Sequence, residues 1–235
     1  MNNPTVVEPS STRAERTRTA ILAAAEDLFA RKGFAAARLE DVADTVKMTR
    51  AALFYYYKDK QALYDAMIED AFGRLRGELE RILAAADRSI AERMDMATEA
   101  WIDTLVSRPT LARLLMRFIA DGAEPHFSGV FTDDNRTAMR FLALFEEGRS
   151  SGELHPIDDN PFLAASSVVG TAIFYVGAFA ALVPQQAPFV SLEPEQVAGL
   201  KREVLRSMRH LLGIADKSKR KVVGKTATST RRKLA

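Results

Sequence analysis

The chain has 235 residues, a formal net charge of +2 and no cysteine. This length is enough for two packed domains, and the absence of cysteine excludes a disulfide framework and thiolate chemistry. The first twelve residues lack a basic flank followed by an apolar run, so a secretory signal is not predicted. We expect residues 1–11 to form a disordered arm and the protein to be cytoplasmic.

The charges are unevenly distributed along the chain. Residues 1–60 hold 10 Lys and Arg against 8 Asp and Glu, residues 61–215 hold 15 against 22, and residues 216–235 hold 8 against 1. An acidic middle region is repelled by nucleic acid, which would leave the amino-terminal region to meet such a partner. The basic end has few large apolar groups and is predicted to be a disordered tail.

The first predicted helix runs from Arg13 to Lys32. Thr12 with Glu15 three residues later has the pattern of a capping box, and Gly33 suits the left-handed position that ends a helix. Apolar residues recur along one side at the spacing of an amphipathic helix. They are Ile21, Leu22, Ala25, Leu28 and Phe29.

Two short helices follow in close succession. Apolar residues at helical spacing predict the first, from Leu39 to Thr45. Thr49 is a suitable N-cap for the second, in which Leu53 and Tyr57 form an apolar edge. Because only residues 46–48 separate them, the two helices are expected to fold back on each other as a helix-turn-helix.

The outward side of the second short helix carries Arg50, Ala51, Tyr55 and Tyr56, and Lys60 lies just beyond. Small residues beside a cation allow close approach to a major groove, while phenolic and ammonium groups reach phosphates on its rims. An amphipathic helix pair with solvated charges is the alternative interpretation.

The order and spacing of these residues resembles the tetracycline-repressor (TetR) family of bacterial transcriptional regulators. The matching positions are Leu28, Phe29, Gly33, Leu39, Asp41, Val42, Ala43, Met48, Thr49, Leu53, Tyr57, Lys60 and Leu63. The resemblance implies an all-α protein with a three-helix DNA-binding domain at residues 12–60. It further implies an effector-binding and dimerisation domain at residues 61–215 and, most often, a repressor of an operator in double-stranded DNA.

Four positions depart from the family pattern and change the expected contacts. Lys47 replaces the usual turn glycine, Phe54 a tyrosine, Tyr56 a frequent histidine, and Arg38 the usual Ser or Thr cap of the second helix. We expect Lys47 to strain the turn or change its geometry, and the Phe54 ring to be buried. The predicted DNA-binding residues are Arg38, Lys47, Thr49, Arg50, Ala51, Tyr55, Tyr56 and Lys60.

The middle region shows helical periodicity throughout, interrupted by proline and glycine. A long helix capped by Asp59 is predicted from Lys60 to about Ala86. Further helices are predicted at residues 90–106, 110–121, 132–150, 161–183 and 194–212.

Residues 160–192 contain no formal charge, and residues 162–183 are long enough to span a bilayer. A membrane-anchored helical interaction protein is therefore an alternative function. Flanking prolines and the lack of a basic anchor favour instead a helix buried in a core or interface. With the last helix, it is expected to form a homodimer interface, as the resemblance implies. The predicted interface residues are Ser166, Gly170, Gly177, Ala181, Val197, Val204, Met208 and Leu211.

Aromatic residues are dense between Trp101 and Phe174 and are candidates for lining an apolar effector site. Arg117, a cation in an apolar run, could meet an acidic group of the effector or Asp103; an exposed arginine is the alternative. The predicted ligand-binding residues are Trp101, Arg117, Phe118, Phe141, Phe145 and Phe174.

No catalytic or cofactor motif is present, and the three histidines do not have metal-ligand spacing. His155, Asp158 and Asp159 are interpreted as turn formers and not as metal ligands. We therefore expect neither cofactor nor metal, and no enzymatic activity, although a helical enzyme acting through Asp103 is a further alternative.

Overall fold

The protein is described from a computed structural model, which covers residues 13–120, 136–179, 192–215 and Leu182. Every regular element within these ranges is helical, as predicted. In chain order the helices are α1 Arg13–Ala36, α2 Leu39–Thr45, α3 Arg50–Tyr56, α4 Lys60–Leu83, α5 Ile90–Ser107, α6 Pro109–Ala120, α7 Arg136–Ser151, α8 Pro161–Phe174 and α9 Pro194–Leu211. The predicted arm, the basic tail, Thr12 and Ala181 lie outside the described residues.

The first helix is interrupted where the sequence predicts its end. Gly33 has φ 74° and ψ 168°, a conformation that glycine adopts without the steric penalty of a Cβ atom. The helix reaches residue 36 only across this kink. The stripe from Ile21 to Phe29 is buried, and it packs against α2, α4 and α6.

The body consists of α4 to α9 packed around a continuous apolar core. Helix α4 contacts α5 and α7, while α8 packs on α5, α6 and α9. The buried residues of the head, Leu53 among them, join those of the body in one cluster that extends to Leu212. The head therefore packs directly on the body, mainly through α1 against α6 and α4.

The uncharged helix α8 continues into a π-helical turn at Tyr175–Phe179. Together these 19 residues are long and apolar enough to cross a membrane by length and composition. However, Ala164, Val168, Ala172 and Ile173 are buried among the other helices. A helix that is apolar on most sides is also typical of a protein core, so this packing does not favour the membrane-anchored alternative.

Candidate nucleic-acid interface and internal cavity

The turn between α2 and α3 is closed by backbone hydrogen bonds in the pattern of a Schellman motif. The Met48 amide donates to the Ala43 carbonyl at 2.9 Å, and the Lys47 amide donates to the Asp44 carbonyl at 3.1 Å. This pattern requires the residue after the helix cap to be left-handed, and that residue, Lys47, has φ 56°. The turn has the usual geometry with a strained residue in place of glycine, which decides between the two outcomes predicted for Lys47.

Helix α3 begins as predicted. The Thr49 side chain accepts a hydrogen bond from the Ala52 amide at 3.2 Å, which satisfies one of the otherwise unpaired N–H groups of the first turn. Arg38, at the corresponding position before α2, is exposed and makes no side-chain cap hydrogen bond. Its guanidinium therefore remains a candidate for contact with phosphate.

Helix α3 turns a polar and aromatic face to solvent. Leu53 is fully buried, whereas Arg50 and Ala51 are exposed and Tyr55 is 87% exposed. The Tyr56 ring meets that of Tyr55 edge to face, with the centroids 5.6 Å apart. This face is the surface that the sequence predicts for DNA.

The Phe54 prediction was wrong, since its ring is 37% exposed and lies beneath a cation. The Arg50 guanidinium is 5.3 Å from the Phe54 ring centroid and pairs with the Glu40 carboxylate at 2.8 Å. Phe54 lies one turn after Arg50, on the same helix face. The ring and the carboxylate together hold the guanidinium against the helix surface.

Lys60, which is predicted to contact a phosphate, binds backbone carbonyl groups in this structure. Its ammonium donates to the carbonyl oxygens of Phe34, Ala35 and Ala37 at 2.7, 3.1 and 3.2 Å. It also lies 4.6 Å from the Phe34 ring centroid. An ammonium has three protons to donate, and three carbonyl oxygens at the carboxyl end of α1 lie within hydrogen-bond distance of it. Lys60 therefore ties the start of α4 to the end of α1.

The body contains a cavity of about 360 Å³ between α4, α5, α7, α8 and α9. Its wall is mainly apolar, with Trp101 and Phe141 from the predicted set. The Trp101 Nε1 and Thr137 Oγ1 atoms belong to lining residues and are buried without a hydrogen-bond partner in the described structure. Further lining residues are Phe72, Leu75, Arg76, Leu79, Leu83, Met94, Ala97, Thr98, Ala138, Phe162, Ala164, Ala165, Val168, Val169, Met208 and Leu212.

The other predicted ligand residues lie elsewhere. Phe145 is fully buried in the core, Phe118 packs against that core, and Arg117 is half-buried in the last turn of α6. Phe174 is 47% exposed and borders a groove on the protein surface. Asp103 pairs with the Lys201 ammonium at 2.6 Å, so it is not the partner considered for Arg117. Of the six predicted ligand residues, only Trp101 and Phe141 line the cavity. Helical spacing alone does not show which side chains point into it.

The predicted dimer residues divide into two groups. Ser166 and Gly170 are exposed on α8, and Val197 and Leu211 are half-buried on α9. In contrast, Val204 and Met208 are buried inside the chain, and Met208 lines the cavity. A Cβ atom at Gly177 would lie 2.9 Å from the Met116 sulfur and 3.2 Å from Ala112 of α6. The assignment of Val204 and Met208 to an interface is therefore corrected, because they are buried within one chain, whereas Gly177 is half-buried against α6.

The exposed side of α8 forms a continuous stripe, here called the α8 face. Its residues are Phe162, Leu163, Ser166, Ser167, Gly170, Thr171 and Phe174. These positions follow the i, i+3 and i+4 spacing of one helix side and carry no charge. A Cβ atom at Gly170 would meet no atom within 4 Å.

Several polar contacts inside the protein have no obvious signal in the sequence. Arg93, a buried cation, donates to the Leu83 carbonyl at 3.1 Å and so closes the end of α4. Arg209 donates to Asp95 at 2.9 Å and joins α9 to α5. Of the three predicted turn formers, Asp158 acts as one, since it accepts from the Asn160 amide at 2.8 Å. Asp159 lies 3.0 Å from the Arg149 guanidinium.

An all-helical chain with an exposed helix-turn-helix and a separate cavity belongs to the class of DNA-binding transcriptional regulators. Comparison with known proteins agrees: the model of bacterial regulatory proteins of the tetR family matches residues 21–67, from α1 into α4. Over these residues the chain is similar to the DNA-binding head of that family.

Two curated relatives come from Escherichia coli (strain K12). The transcriptional regulator UidR is 24% identical over 157 residues, 64% of this chain and 76% of UidR. The transcriptional regulator RutR is 29% identical over 146 residues, 59% of this chain and 65% of RutR.

Among solved structures, a tetR-family regulatory protein from Rhodococcus RHA1 aligns with a TM-score of 0.60 at 20% identity, covering 88% of this chain and 100% of that one. The ketosteroid regulator KstR2 of Mycobacterium tuberculosis aligns with a TM-score of 0.64 at 15% identity, covering 88% and 99%. These structures share the fold.

Proposed function

We propose that the protein is a homodimeric, cytoplasmic transcriptional repressor that binds a DNA operator through α3 and is released by a small, largely apolar effector. The observation that carries this proposal is the course of α4. Lys60 at its start is bound to the end of α1 in the head. Further along the same helix, five residues line the cavity: Phe72, Leu75, Arg76, Leu79 and Leu83. A tilt of one helix at the cavity would therefore move the head.

The character of the cavity supports an apolar effector of modest size. A volume of about 360 Å³ is within the range of small-molecule sites, and such sites combine an apolar wall with few polar groups. The Trp101 indole N–H is a donor, and Thr137 supplies a hydroxyl. An effector with a hydrogen-bond acceptor would satisfy either one if that side chain turned into the cavity. The proposal that the protein represses transcription is supported by the name of a relative, the repressor NicS of Pseudomonas putida, which is 29% identical over 83 residues, 34% of this chain and 39% of NicS.

An effector that acts on DNA affinity must prefer one conformation of the protein over another. It shifts the population only by the ratio of its affinities for the two states. By the same linkage, DNA must weaken effector binding by the factor that the effector weakens DNA binding. This reciprocity makes the proposal testable from either ligand.

The experiment uses Trp101, the single tryptophan of the sequence, as a reporter of the cavity. Compounds are screened for a change in its emission, and each hit is tested for loss of affinity toward a duplex selected by the protein from a random pool. We expect apolar compounds to score in both assays. Ala97→Phe, which fills the cavity, should abolish the emission change, whereas Ala23→Phe at an exposed site of α1 should not. A protein stabilised only by sugars or metal ions would contradict the proposal.

We further propose that a second copy of the chain covers the α8 face. Phe162 is 52% exposed there, and Leu163 and Phe174 are also exposed. A contiguous apolar surface of this kind is a common site of protein association. In a two-fold dimer this face would meet itself and present two heads to two half-sites.

A charge at Gly170 tests the dimer without disturbing the chain that carries it. Because a Cβ atom at Gly170 meets open space, Gly170→Arg should leave the fold intact and yield monomers in sedimentation. The affinity of Gly170→Arg for the selected duplex should be lower than that of the parent. The control is Ala86→Arg at an exposed site between α4 and α5, outside both α8 and α9. Sedimentation of the unchanged protein as a monomer at micromolar concentration would refute the proposal.

Within the head, we propose that Arg50 reads base edges and that Tyr55, Tyr56, Arg38 and Lys47 contact phosphates. Arg50 must leave Glu40 to do so. Arg50→Ala should lose preference at particular operator positions, by about 1–3 kcal/mol for a bidentate contact with guanine. Arg38→Ala should weaken all sequences alike and lower the salt slope by about one. Equal preference for operator over scrambled DNA in Arg50→Ala and the parent would exclude base reading by Arg50.

A further inference from the structure

A carboxylate is buried in the first helix of the DNA-binding head. Glu26, on α1, is 3% exposed, and its neighbours Ala25, Leu28 and Phe29 belong to the apolar core. Removing a carboxylate from water is strongly unfavourable unless it is paired and hydrogen-bonded. The position of Glu26 is therefore stable only while its partners remain in place.

Those partners come from the body. The Arg108 guanidinium, at the junction between α5 and α6, forms an ion pair with Glu26. The Thr110 hydroxyl, in the first turn of α6, donates to the same carboxylate. Arg108 also donates to Asp70 of α4 at 3.0 Å. Burial lowers the pKa of Arg108, but the carboxylates of Glu26 and Asp70 outweigh it and raise the pKa above its ordinary value.

The cluster joins three helices at the point where the head meets the body. Asp70 lies two residues before Phe72, the first cavity residue of α4, and Arg108 ends the helix that carries Trp101. A change in the separation of α4 and α5 at the cavity would therefore displace Arg108 from Asp70, from Glu26, or from both. Because a buried charge is stable only when paired, such a shift would disfavour the present orientation of the head.

We propose that Glu26, Arg108, Asp70 and Thr110 form a latch that sets the orientation of the DNA-binding head and couples it to the cavity. The latch consists of positioning residues, since none of them lies on the α3 surface. This inference rests on the proposed function for its meaning in regulation. The orientation itself is a property of the protein without DNA or effector and can be measured separately.

The absence of cysteine allows clean labelling of the full chain at two introduced sites. Asp44→Cys on α2 and Glu99→Cys on α5 are both at exposed positions, one in the head and one in the body. The distance distribution between spin labels is then measured by pulsed electron resonance. We expect Glu26→Gln, which keeps the shape but removes the charge, to shift or broaden this distribution relative to the parent.

The matched control is Asp27→Asn, one residue along the same helix. Asp27 is exposed and pairs only with Arg31 of its own helix, at 2.6 Å, among the described contacts. Its removal should leave the distance distribution unchanged. In unlabelled protein, Glu26→Gln should change affinity for the selected duplex at least about fivefold, while Asp27→Asn should not.

The outcomes separate the latch from a merely structural role. If Glu26→Gln lowers the urea midpoint but leaves both the distances and the DNA affinity unchanged, the latch is refuted. If Glu26→Gln does not fold, Thr110→Val removes one hydrogen bond from the carboxylate and must show the same shift to a smaller extent, and an unchanged distribution there refutes the latch as well. If the distance distribution shifts but the protein selects no duplex from the random pool, the latch is supported and the proposed function is refuted.

Discussion

Replacing Lys47 by glycine should stabilise the protein even though it removes a charge from the predicted DNA surface. An L-residue in the left-handed conformation costs about 1–2 kcal/mol relative to glycine. Glycine returns about 0.5–1 kcal/mol of this as extra entropy of the unfolded chain. The net gain is about 0.5–1 kcal/mol in the free energy of unfolding, or a Tm higher by about 1–4 °C for a chain of this size.

The protein contains its own comparison for this turn. Gly213, after α9, closes the same pattern of hydrogen bonds, with the Ile214 amide donating to the Arg209 carbonyl at 2.8 Å. Its φ of 61° is close to the 56° of Lys47. The chain therefore uses glycine for one of these two caps and lysine for the other, which is consistent with a role for the Lys47 charge outside the turn.

Two variants separate the strain from the charge. Lys47→Ala removes the charge but keeps the strain, whereas Lys47→Gly removes both. In urea, the free energy of unfolding of Lys47→Gly should exceed that of Lys47→Ala by about 0.5–1 kcal/mol. If Lys47 contacts a phosphate, both variants should lose about one unit of salt slope on the selected duplex. A glycine variant no more stable than the alanine variant would refute the strain argument.

Three further predictions concern packing and titration. The Tyr57 hydroxyl is buried without a hydrogen-bond partner in the described structure, and burial raises the pKa of this phenol above its ordinary value of 10.0. The folded state thus favours the protonated phenol, so this contribution to stability is complete below pH 10 and is lost as the pH rises through the raised pKa. Tyr57→Phe should flatten this alkaline loss and raise the free energy of unfolding at neutral pH by up to about 1 kcal/mol. An alkaline profile in urea unfolding that is the same for Tyr57→Phe and the parent would count against this prediction. Thr49→Ala should lower the free energy of unfolding by about 1 kcal/mol through loss of the α3 cap, and a midpoint equal to that of the parent would show that the cap contributes nothing. Gly177→Leu should destabilise the chain by about 1–3 kcal/mol through overpacking against Met116 while the dimer persists in sedimentation; a stable monomer would instead place Gly177 in the interface.

Local signals in the sequence were enough to predict the DNA-binding head. The Thr49 cap, the Asp59 cap of α4 and the break at Gly33 each depend on backbone groups within a few residues, and the structure confirms all three. The same holds for the all-helical class, because apolar periodicity reflects the geometry of a single helix. For Lys47 the sequence left two outcomes open, a strained turn or a changed geometry, and the hydrogen bonds of the turn decided for strain.

Contacts between distant residues were decided only by the tertiary structure. Lys60 meets carbonyl groups 23 to 26 residues earlier in the chain, and its charge alone predicted a phosphate contact. Periodicity shows which side of a helix is apolar but not whether that side meets the same chain, a second copy or an effector. For this reason Val204 and Met208 were assigned to the dimer although they are buried inside the protomer.

The sequence by itself determined the helices, the helix-turn-helix and the class of regulator, since each depends on residues close together in the chain. The tertiary structure decided the cavity wall, the α8 face and the burial of Glu26 against Arg108. Helix α8 is apolar on nearly every side, so its pattern does not distinguish the inward side from the outward one. Glu26 has the pattern of a solvated charge on α1, and only the packing of α6 over it makes it a buried one.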